Sequence, residues 1–273
     1  MTRVAFQGER GAFSEAAALV HFSSIQPLPC RTLPEVFDAV ERGQAERGMV
    51  PVENSQAGSI NETYDLLVRR NLHIVGERHQ RIEHCLLALP TESLETVHTV
   101  ASHPQALAQC DAFLARGGWE TVPTYDTAGS AKLVATERGP GVAAIASRHA
   151  AEIYGLAILA AGIETNPVNF TRFLALSLAP APPADPAKTS LVFSTANVPG
   201  ALYRALGAFA LRNINLTKLE SRPRRDRPWE YLFYVDVEIH QDAPEGRAAL
   251  AELGGVTAFL RVLGSYPRAE GTG

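Results

Sequence analysis

Four prolines fall within nine residues, in the run Ala179-Pro180-Ala181-Pro182-Pro183-Ala184-Asp185-Pro186-Ala187. Each proline fixes φ and removes a backbone donor, so neither a helix interior nor an inner strand passes through such a run. The stretch predicts an extended linker of polyproline type. It divides the 273 residues unequally, into 1–178 and 188–266 with 179–187 between them. A domain usually takes ~100–200 residues, so two domains suit the length.

The larger part alternates short apolar runs with helical patterns. Val4-Ala5-Phe6 precedes a helix over Phe13–Phe22, with Phe13, Ala16, Ala17 and Val20 on one face. Thr32-Leu33-Pro34-Glu35 and Ser59-Ile60-Asn61-Glu62 have the form of capping boxes, opening helices to about Arg42 and about Arg70. Strands are predicted over 48–52, 73–77, 85–89, 97–101, 121–124, 142–146 and 171–176. Ser102-His103-Pro104-Gln105 reads as Ser102 capping a helix with proline in its first turn. Asp126-Thr127 begins another helix, and Ser147 caps one to about Tyr154. Such alternation predicts an α/β fold with largely parallel sheets.

The smaller part reads βαββαβ. A strand over 189–195 leads to a helix over 199–212. Strands over 215–221 and 230–238, a helix over 245–253 and a strand over 257–263 follow. The order is that of a ferredoxin-like unit, with helices on one face of an antiparallel sheet.

Composition excludes several classes. Lys and Arg number 25 against 29 Asp and Glu, for a net charge of −4, so bulk positive charge for nucleic acid is absent. The arginines at 222, 224, 225 and 227 are diluted by Asp226 and Glu230 and read as a solvated loop. No apolar run reaches the ~20 residues of a spanning helix. The opening Met1–Phe6 runs straight into a strand-like segment, which sets a cytoplasmic location as the expectation. The three cysteines are far apart, and Cys110 follows a helical apolar pattern with Ala106, Leu107 and Leu114. The histidines show no metal-ligating spacing, so no metal site is expected.

Four polar turns lie between a strand and a helix N-terminus: Gly8–Ser14, Glu53–Ser59, Ser102–Gln105 and Asp126–Ser130. Unpaired N–H groups at helix N-termini suit a carboxylate or phosphate, and a cleft built from several would hold a small anion. Taken singly, each is equally an ordinary cap. Asn169-Phe170-Thr171-Arg172-Phe173 brings a hydroxyl, a guanidinium and two aromatics to the start of a strand. Alternation sends Thr171 and Phe173 to one side and Arg172 to the other. Spacing alone leaves open a strand edge with one salt-bridged arginine.

Together these segments resemble the prephenate dehydratase family and the related arogenate dehydratases. The resemblance rests on Gly8-Glu9-Arg10-Gly11-Ala12-Phe13-Ser14, Val50-Pro51-Val52-Glu53-Asn54-Ser55, Ser102-His103-Pro104-Gln105-Ala106-Leu107, Asp126-Thr127-Ala128 and Asn169-x-Thr171-Arg172-Phe173. In the smaller part, Gly200-Ala201-Leu202-Tyr203 and Glu220-Ser221-Arg222-Pro223 resemble the phenylalanine-binding motifs of an ACT domain.

The resemblance implies a bilobal region like a type-II periplasmic binding protein, with the site between its lobes, followed by the ACT domain. It implies loss of water and carbon dioxide from prephenate to give phenylpyruvate, with no cofactor. The family's catalytic threonine falls on Thr171. Arg172 is then the candidate carboxylate clamp, Phe173 a wall of the cleft, and Ser14, Asn54, Ser55, Thr127 and Asn169 substrate-binding groups. Phenylalanine would bind at Gly200, Ala201, Leu202, Asn215, Glu220, Ser221, Arg222 and Pro223, in a homodimer or homotetramer. Ala12 stands where many members have threonine, Asp126 where serine is frequent, and Tyr203 where valine is. Arogenate in place of prephenate, or a sensor without enzymatic activity, are the alternatives.

Overall fold

The computed structural model describes all residues except 138, 225, 226, 228 and 270–273, so Arg225 and Asp226 of the basic loop lie outside the described residues. In chain order the elements begin β1 (Thr2–Gln7), α1 (Phe13–Phe22), β2 (Ile25–Cys30), α2 (Leu33–Glu41), β3 (Arg47–Asn54), β4 (Gly58–Ser59), α3 (Asn61–Arg69) and β5 (His73–Arg81). There follow β6 (Cys85–Ala88), β7 (Thr99–Ser102), α4 (Pro104–Gln109), α5 (Asp111–Gly117), β8 (Glu120–Pro123), α6 (Thr127–Thr136), β9 (Val142–Ala146), α7 (Arg148–Tyr154), β10 (Ala157–Ala161) and β11 (Phe170–Ser177). The last are β12 (Ala187–Ser194), α8 (Ala201–Ala210), β13 (Leu216–Pro223), β14 (Tyr231–Val237), α9 (Pro244–Val256) and β15 (Phe259–Pro267). No described helix is long and apolar enough to cross a membrane.

Two compact units result: Met1–Tyr64 with Arg78–Phe173, and Asp65–Glu77 with the chain from Leu174 onward. The division runs through α3, β5 and β11, each of which contributes to both.

One sheet has the order β2-β1-β3-β11-β5, with β4 paired to β3. Val4, Phe6, Val36, Phe37, Met49 and Val50 are fully buried between its strands and the helices beside them. Strand β2, Ile-Gln-Pro-Leu-Pro-Cys, carries no sequence signal because its two prolines argue against a strand. It forms at the sheet edge, where a missing donor is tolerated, and pairs only with β1, in parallel. The second sheet has the order β10-β6-β9-β7-β8. Its core joins Leu86, Val100 and Ile145 to Cys110 and Leu114 of the neighbouring helices. The expectation of largely parallel sheets fails here, since β6 runs antiparallel to both β9 and β10. Strand β6 enters from β5 of the other sheet and lies between β9 and β10, which α7 joins and which run in the same direction as each other.

Two expected caps also move. Ser59 pairs with Glu53 in the β3–β4 hairpin, and α3 starts only at Asn61. Ser102 stays in β7, where its hydroxyl donates to the Ile145 carbonyl at 2.7 Å. His103 caps α4 instead, its Nδ1 accepting from the Gln105 amide. The Thr32 box forms as expected at Thr32, whose hydroxyl accepts from the Glu35 amide. The Glu35 carboxylate reaches back to the Arg31 amide, one residue earlier than the usual pattern.

The second unit carries an antiparallel sheet of order β13-β14-β12-β15 with α8 and α9 on one face. Leu191, Phe193, Val235 and Val237 meet Ala205, Phe209, Ala249 and Leu253 there. Segment 65–77 belongs to the same unit. Gly264 of β15 lies so near β5 that a Cβ would come within 2.1 Å of the Ile74 carbonyl oxygen, so no side chain fits. Arg261 donates to the Val68 and Arg70 carbonyls, closing the open C-terminal end of α3. Lys188 of β12 pairs with Glu77 of β5 at 2.7 Å, and both side chains are buried. Removing one partner of such a pair strands the other charge without water. Glu77→Leu should therefore cost about 3–5 kcal/mol in denaturant unfolding. Adding Lys188→Met should return most of that loss, because the stranded ammonium goes with it.

Candidate active site

The turn Gly8–Gly11 joins β1 to α1 and is held from several sides. Gly11 has φ +86°, and a Cβ there would lie 2.7 Å from the Ala150 Cα. Both the conformation and the close approach require glycine. The Gly11 amide donates to Glu15 Oε2 at 2.6 Å, and its carbonyl accepts from Ser147 Oγ at 2.6 Å. Glu15 is buried and also pairs with Arg10 Nε at 2.6 Å. Tyr154 donates to the Arg10 carbonyl. Glu9 receives Lys132 Nζ at 3.1 Å, and its amide donates to Asp126 Oδ2 at 2.8 Å.

This turn forms one wall of a cleft of about 780 Å³. Ser14 and Thr127 line it together, as do Phe13, Arg31, His103 and Asp126. Ala12, the N-cap of α1, offers no side-chain oxygen to the first-turn amides, so that helix end presents its donors without a competing cap. The α6 end differs. Asp126 caps it, accepting from the Ala128 amide at 3.1 Å, so its own carboxylate occupies the helix N-terminus. An anion cleft built equally from all four turns is therefore not what forms. Burial pushes the Asp126 pKa up, against the lowering effect of the Glu9 and Ala128 amides. Cys30 also lines the cleft, but burial and then Glu35 push its thiol up to about 11, so it is protonated at neutral pH.

Thr171, Asn54, Ser55 and Asn169 do not line this cleft. They meet in a hydrogen-bonded cluster where β3 and β11 run side by side. Asn54 Oδ1 accepts from the Gln56 amide at 3.0 Å and the Ala57 amide at 2.9 Å. Asn54 Nδ2 donates to Asn169 Oδ1 and to Thr171 Oγ1, each at 2.9 Å. Ser55 Oγ accepts from the Phe170 amide at 3.0 Å. Asn169 Nδ2 donates to Gln109 Oε1 at 3.0 Å, and His84 Nε2 meets the same oxygen at 2.8 Å. Gln109 and Asn169 line a second cavity of about 390 Å³. At the other end, the His84 ring makes an edge contact with Phe13 of the large cleft, centroids 5.6 Å apart. Thr171 is 7% exposed and Phe173 is buried, whereas Arg172 on the alternate side is half-buried and lines neither cavity. Arg31, beyond the carboxyl end of β2, is the guanidinium in the large cleft.

Sequence reading missed Arg31, His84 and Gln109. Arg31 follows a strand that its prolines conceal. His84, beside His79, Arg81 and Glu83, suggests along the chain only a metal ligand, and Gln109 is a single polar residue in an apolar helical stretch.

The residues expected to hold an effector divide within the chain. Gly200, at φ +75°, caps α8, and with Ala201 and Leu202 it lines a cavity of about 330 Å³ beside Trp229, Tyr231 and Phe233. Glu220, Ser221, Arg222 and Pro223 lie on the edge strand β13 and do not line it. Pro223 lines a separate cavity with Arg224 and Tyr234, Arg222 sits 3.8 Å from Asp65, and Asn215 donates to Glu238.

Comparison with known proteins identifies these parts. The family model described as prephenate dehydratase matches residues 4–181, and that of the ACT domain matches 189–255. The class is thus a dehydratase, a lyase, with a C-terminal ACT domain. Among relatives, arogenate dehydratase/prephenate dehydratase 2 of Arabidopsis thaliana is 48% identical over 276 residues, 97% of this chain and 72% of that protein. Arogenate dehydratase 1 of Petunia hybrida is 46% identical over 97% of this chain and 66% of its own length. The solved prephenate dehydratase of Arthrobacter aurescens, in complex with L-Phe, is 32% identical with a TM-score of 0.88, covering 97% of this chain and 90% of that one. A structure described as GqqA, a novel type of quorum quenching acylase, is 39% identical with a TM-score of 0.91 and 98% coverage of both chains. The chain belongs to the prephenate dehydratase family.

Asp126 gives this site a pH signature. Its raised pKa means the folded state holds the proton more tightly than the unfolded chain. That contribution is full below the ordinary value of 3.8 and is lost as pH rises through the folded pKa. Asp126→Ser keeps a capping hydroxyl and removes this titration. Melting temperatures followed from about pH 3.5 upward should show wild type losing ground to the variant as pH rises.

Proposed function

We propose that this chain converts prephenate to phenylpyruvate, with Thr171 passing a proton to the departing ring hydroxyl. The C–COO⁻ bond breaks, its electron pair enters the ring, and the C–OH bond breaks with its oxygen protonated. Prephenate dianion plus one proton gives phenylpyruvate monoanion, carbon dioxide and water. Aromatisation drives the step, so the protein's task is to orient the substrate and to protonate one oxygen. A threonine hydroxyl is too weak an acid to end as alkoxide. It acts as a relay and recovers its proton from solvent.

The observation that carries this reading is the Asn54–Thr171 hydrogen bond. Two backbone amides claim Asn54 Oδ1, so the Asn54 side chain turns its N–H to Thr171. The threonine oxygen accepts, and its own proton has no acceptor among the described residues. That proton remains to be donated. In this reading the substrate carboxylates take the open α1 N-terminus and Arg31 in the large cleft, and the ring hydroxyl points toward the Thr171 cluster, which adjoins that cleft through the contact of His84 with Phe13. Ser14 and Thr127 supply further hydroxyl contacts, and Asn169 and Ser55 hold the chain around Thr171. Arg172, on the alternate side of the strand, lines neither cavity, and the clamp is assigned to Arg31.

For regulation, phenylalanine binds between two copies, with Gly200–Leu202 of one facing Glu220–Pro223 of the other. The division of those residues within one chain supports that arrangement, as does the open edge of β13. A homodimer is the smallest assembly with such a site.

Purified protein should release phenylpyruvate from prephenate, and phenylalanine should change that rate. Thr171→Ala should lower kcat by about 100-fold or more with the fold intact. An active Thr171→Ala variant would overturn the assignment of Thr171. Assaying arogenate in parallel reads the preference between the two substrates, which differ by an amino group.

A further inference from the structure

We propose that Tyr125 is a substrate-binding residue: its side chain is a fixed aromatic platform on which the apolar ring of the substrate lies. The proposal rests on the dehydratase reading and on the placing of substrate in the large cleft.

Tyr125 lines the cleft just ahead of α6 and is 64% exposed. Single exposed aromatics are common on protein surfaces and need no use. This one is held both under the ring and at the hydroxyl. The ring lies against Gly129, in the first turn of α6. A Cβ on Gly129 would come within 2.5 Å of Tyr125 Cζ and 2.6 Å of its hydroxyl oxygen. Gly129 sits inside a helix, where alanine is the better former, so what glycine provides is the space that the ring takes. The hydroxyl donates to Glu9 Oε1 at 3.3 Å, on the β1–α1 turn. Lys132 of α6 holds the other oxygen of Glu9 at 3.1 Å. Burial, and then the charges of Glu9 and Asp126, push the Tyr125 pKa up, so the hydroxyl keeps the proton it donates.

The donors and acceptors here decide which part of a substrate meets this residue. The one proton of the Tyr125 hydroxyl is committed to Glu9, so the side chain presents its ring to the cleft and no donor. The neighbours in the lining, Glu9 and Asp126, are carboxylates. Nothing at this spot suits a substrate carboxylate, whereas an uncharged six-membered ring packs well on an aromatic face. The guanidinium assigned to clamp a carboxylate is close by: the Arg31 charge acts on the Tyr125 hydroxyl, against those of Glu9 and Asp126. A carboxylate on Arg31 and a ring on Tyr125 can therefore belong to one molecule. Because Tyr125 is already immobilised, the contact requires no further ordering of its side chain. The contact is made in the ground state as well as the transition state, so it acts on binding more than on turnover.

The test is steady-state kinetics with prephenate, and with arogenate in parallel, on Tyr125→Ala, Tyr125→Phe, Gly129→Ala and the double variant Tyr125→Ala/Gly129→Ala. Tyr125→Ala should raise KM about tenfold, with a smaller effect on kcat. Tyr125→Phe keeps the ring on its seat and gives up the tether, so KM should rise no more than about threefold. Gly129→Ala favours the helix but displaces the ring, and KM should rise toward that of Tyr125→Ala. In the double variant no ring remains to displace, so Gly129→Ala should add nothing to the effect of Tyr125→Ala. Wild-type KM in a folded Tyr125→Ala variant overturns the proposal. So does Tyr125→Phe as impaired as Tyr125→Ala, because the hydroxyl and not the ring would then matter. A Gly129→Ala effect of equal size with and without the ring also overturns it. Melting temperature and near-ultraviolet circular dichroism report whether each variant folds. If Tyr125→Ala does not fold, Gly129→Ala decides the matter, and wild-type KM in that variant overturns the proposal. Should wild type turn over neither prephenate nor arogenate, the dehydratase reading fails instead, and the two failures stay distinct.

Discussion

Two backbone amides at a tight turn set the direction of the hydrogen bonds around Thr171. Gln56 and Ala57 both donate to Asn54 Oδ1, and an amide cannot be reversed against two donors without burying clashing N–H groups. The turn that supplies them closes the β3–β4 hairpin at the carboxyl end of β3. From that constraint the Asn54 N–H faces β11, Thr171 becomes an acceptor, and its proton is left for another oxygen. The hydrogen bond from Asn54 sets the orientation of that hydroxyl before any substrate arrives. Preorganisation of this kind lowers a barrier because no dipole has to turn at the moment of reaction.

The second constraint is steric. Gly8–Gly11 is held by Glu15 on one side and by Ser147, Ala150, Tyr154 and Asp126 on the other. These contacts come from α1, α6 and the α7 region, far apart in sequence. They fix one wall of the cleft and, through it, the exposed N-terminal turn of α1. Asp126 thus has a structural duty as well as a place in the lining. It fills the α6 end with its own carboxylate, which leaves α1 as the helix end open to an anion.

Much of this was legible along the chain. The proline run, the βαββαβ order and the apolar strands rest on local rules of proline geometry and periodicity, and local rules survive folding. The Asp126 and Ser147 caps formed where their side chains allow. Ser59 and Ser102 fit the same pattern and do not cap, because strand pairing claimed both residues first. Strand β2 was hidden because prolines speak against a strand, and only its place at a sheet edge reverses that. Thr171 and Asn169 stood out as a cluster of unlike residues. Gln109 did not, since a lone polar residue in an apolar stretch has no spacing to betray it, and His84, beside the charged residues of 77–83, showed no pattern that pointed to Gln109.

The sequence by itself determined most of the element order, the alternation that buries Thr171 and Phe173 while turning Arg172 away, and the family to which the motifs belong; the two compact units divide instead after Phe173, with 65–77 joining the second. The first three depend on neighbours within a few residues or on motifs read in order. Tertiary structure alone decided which way the amides point, which helix end stays open and which arginine reaches the cleft. The amide directions depend on donors and acceptors brought together from positions 54, 56, 57, 109, 169 and 171, and the cleft on residues from positions 8–14, 31 and 126. Hydrogen-bond direction is a property of partners in space, and no periodicity along the chain encodes it.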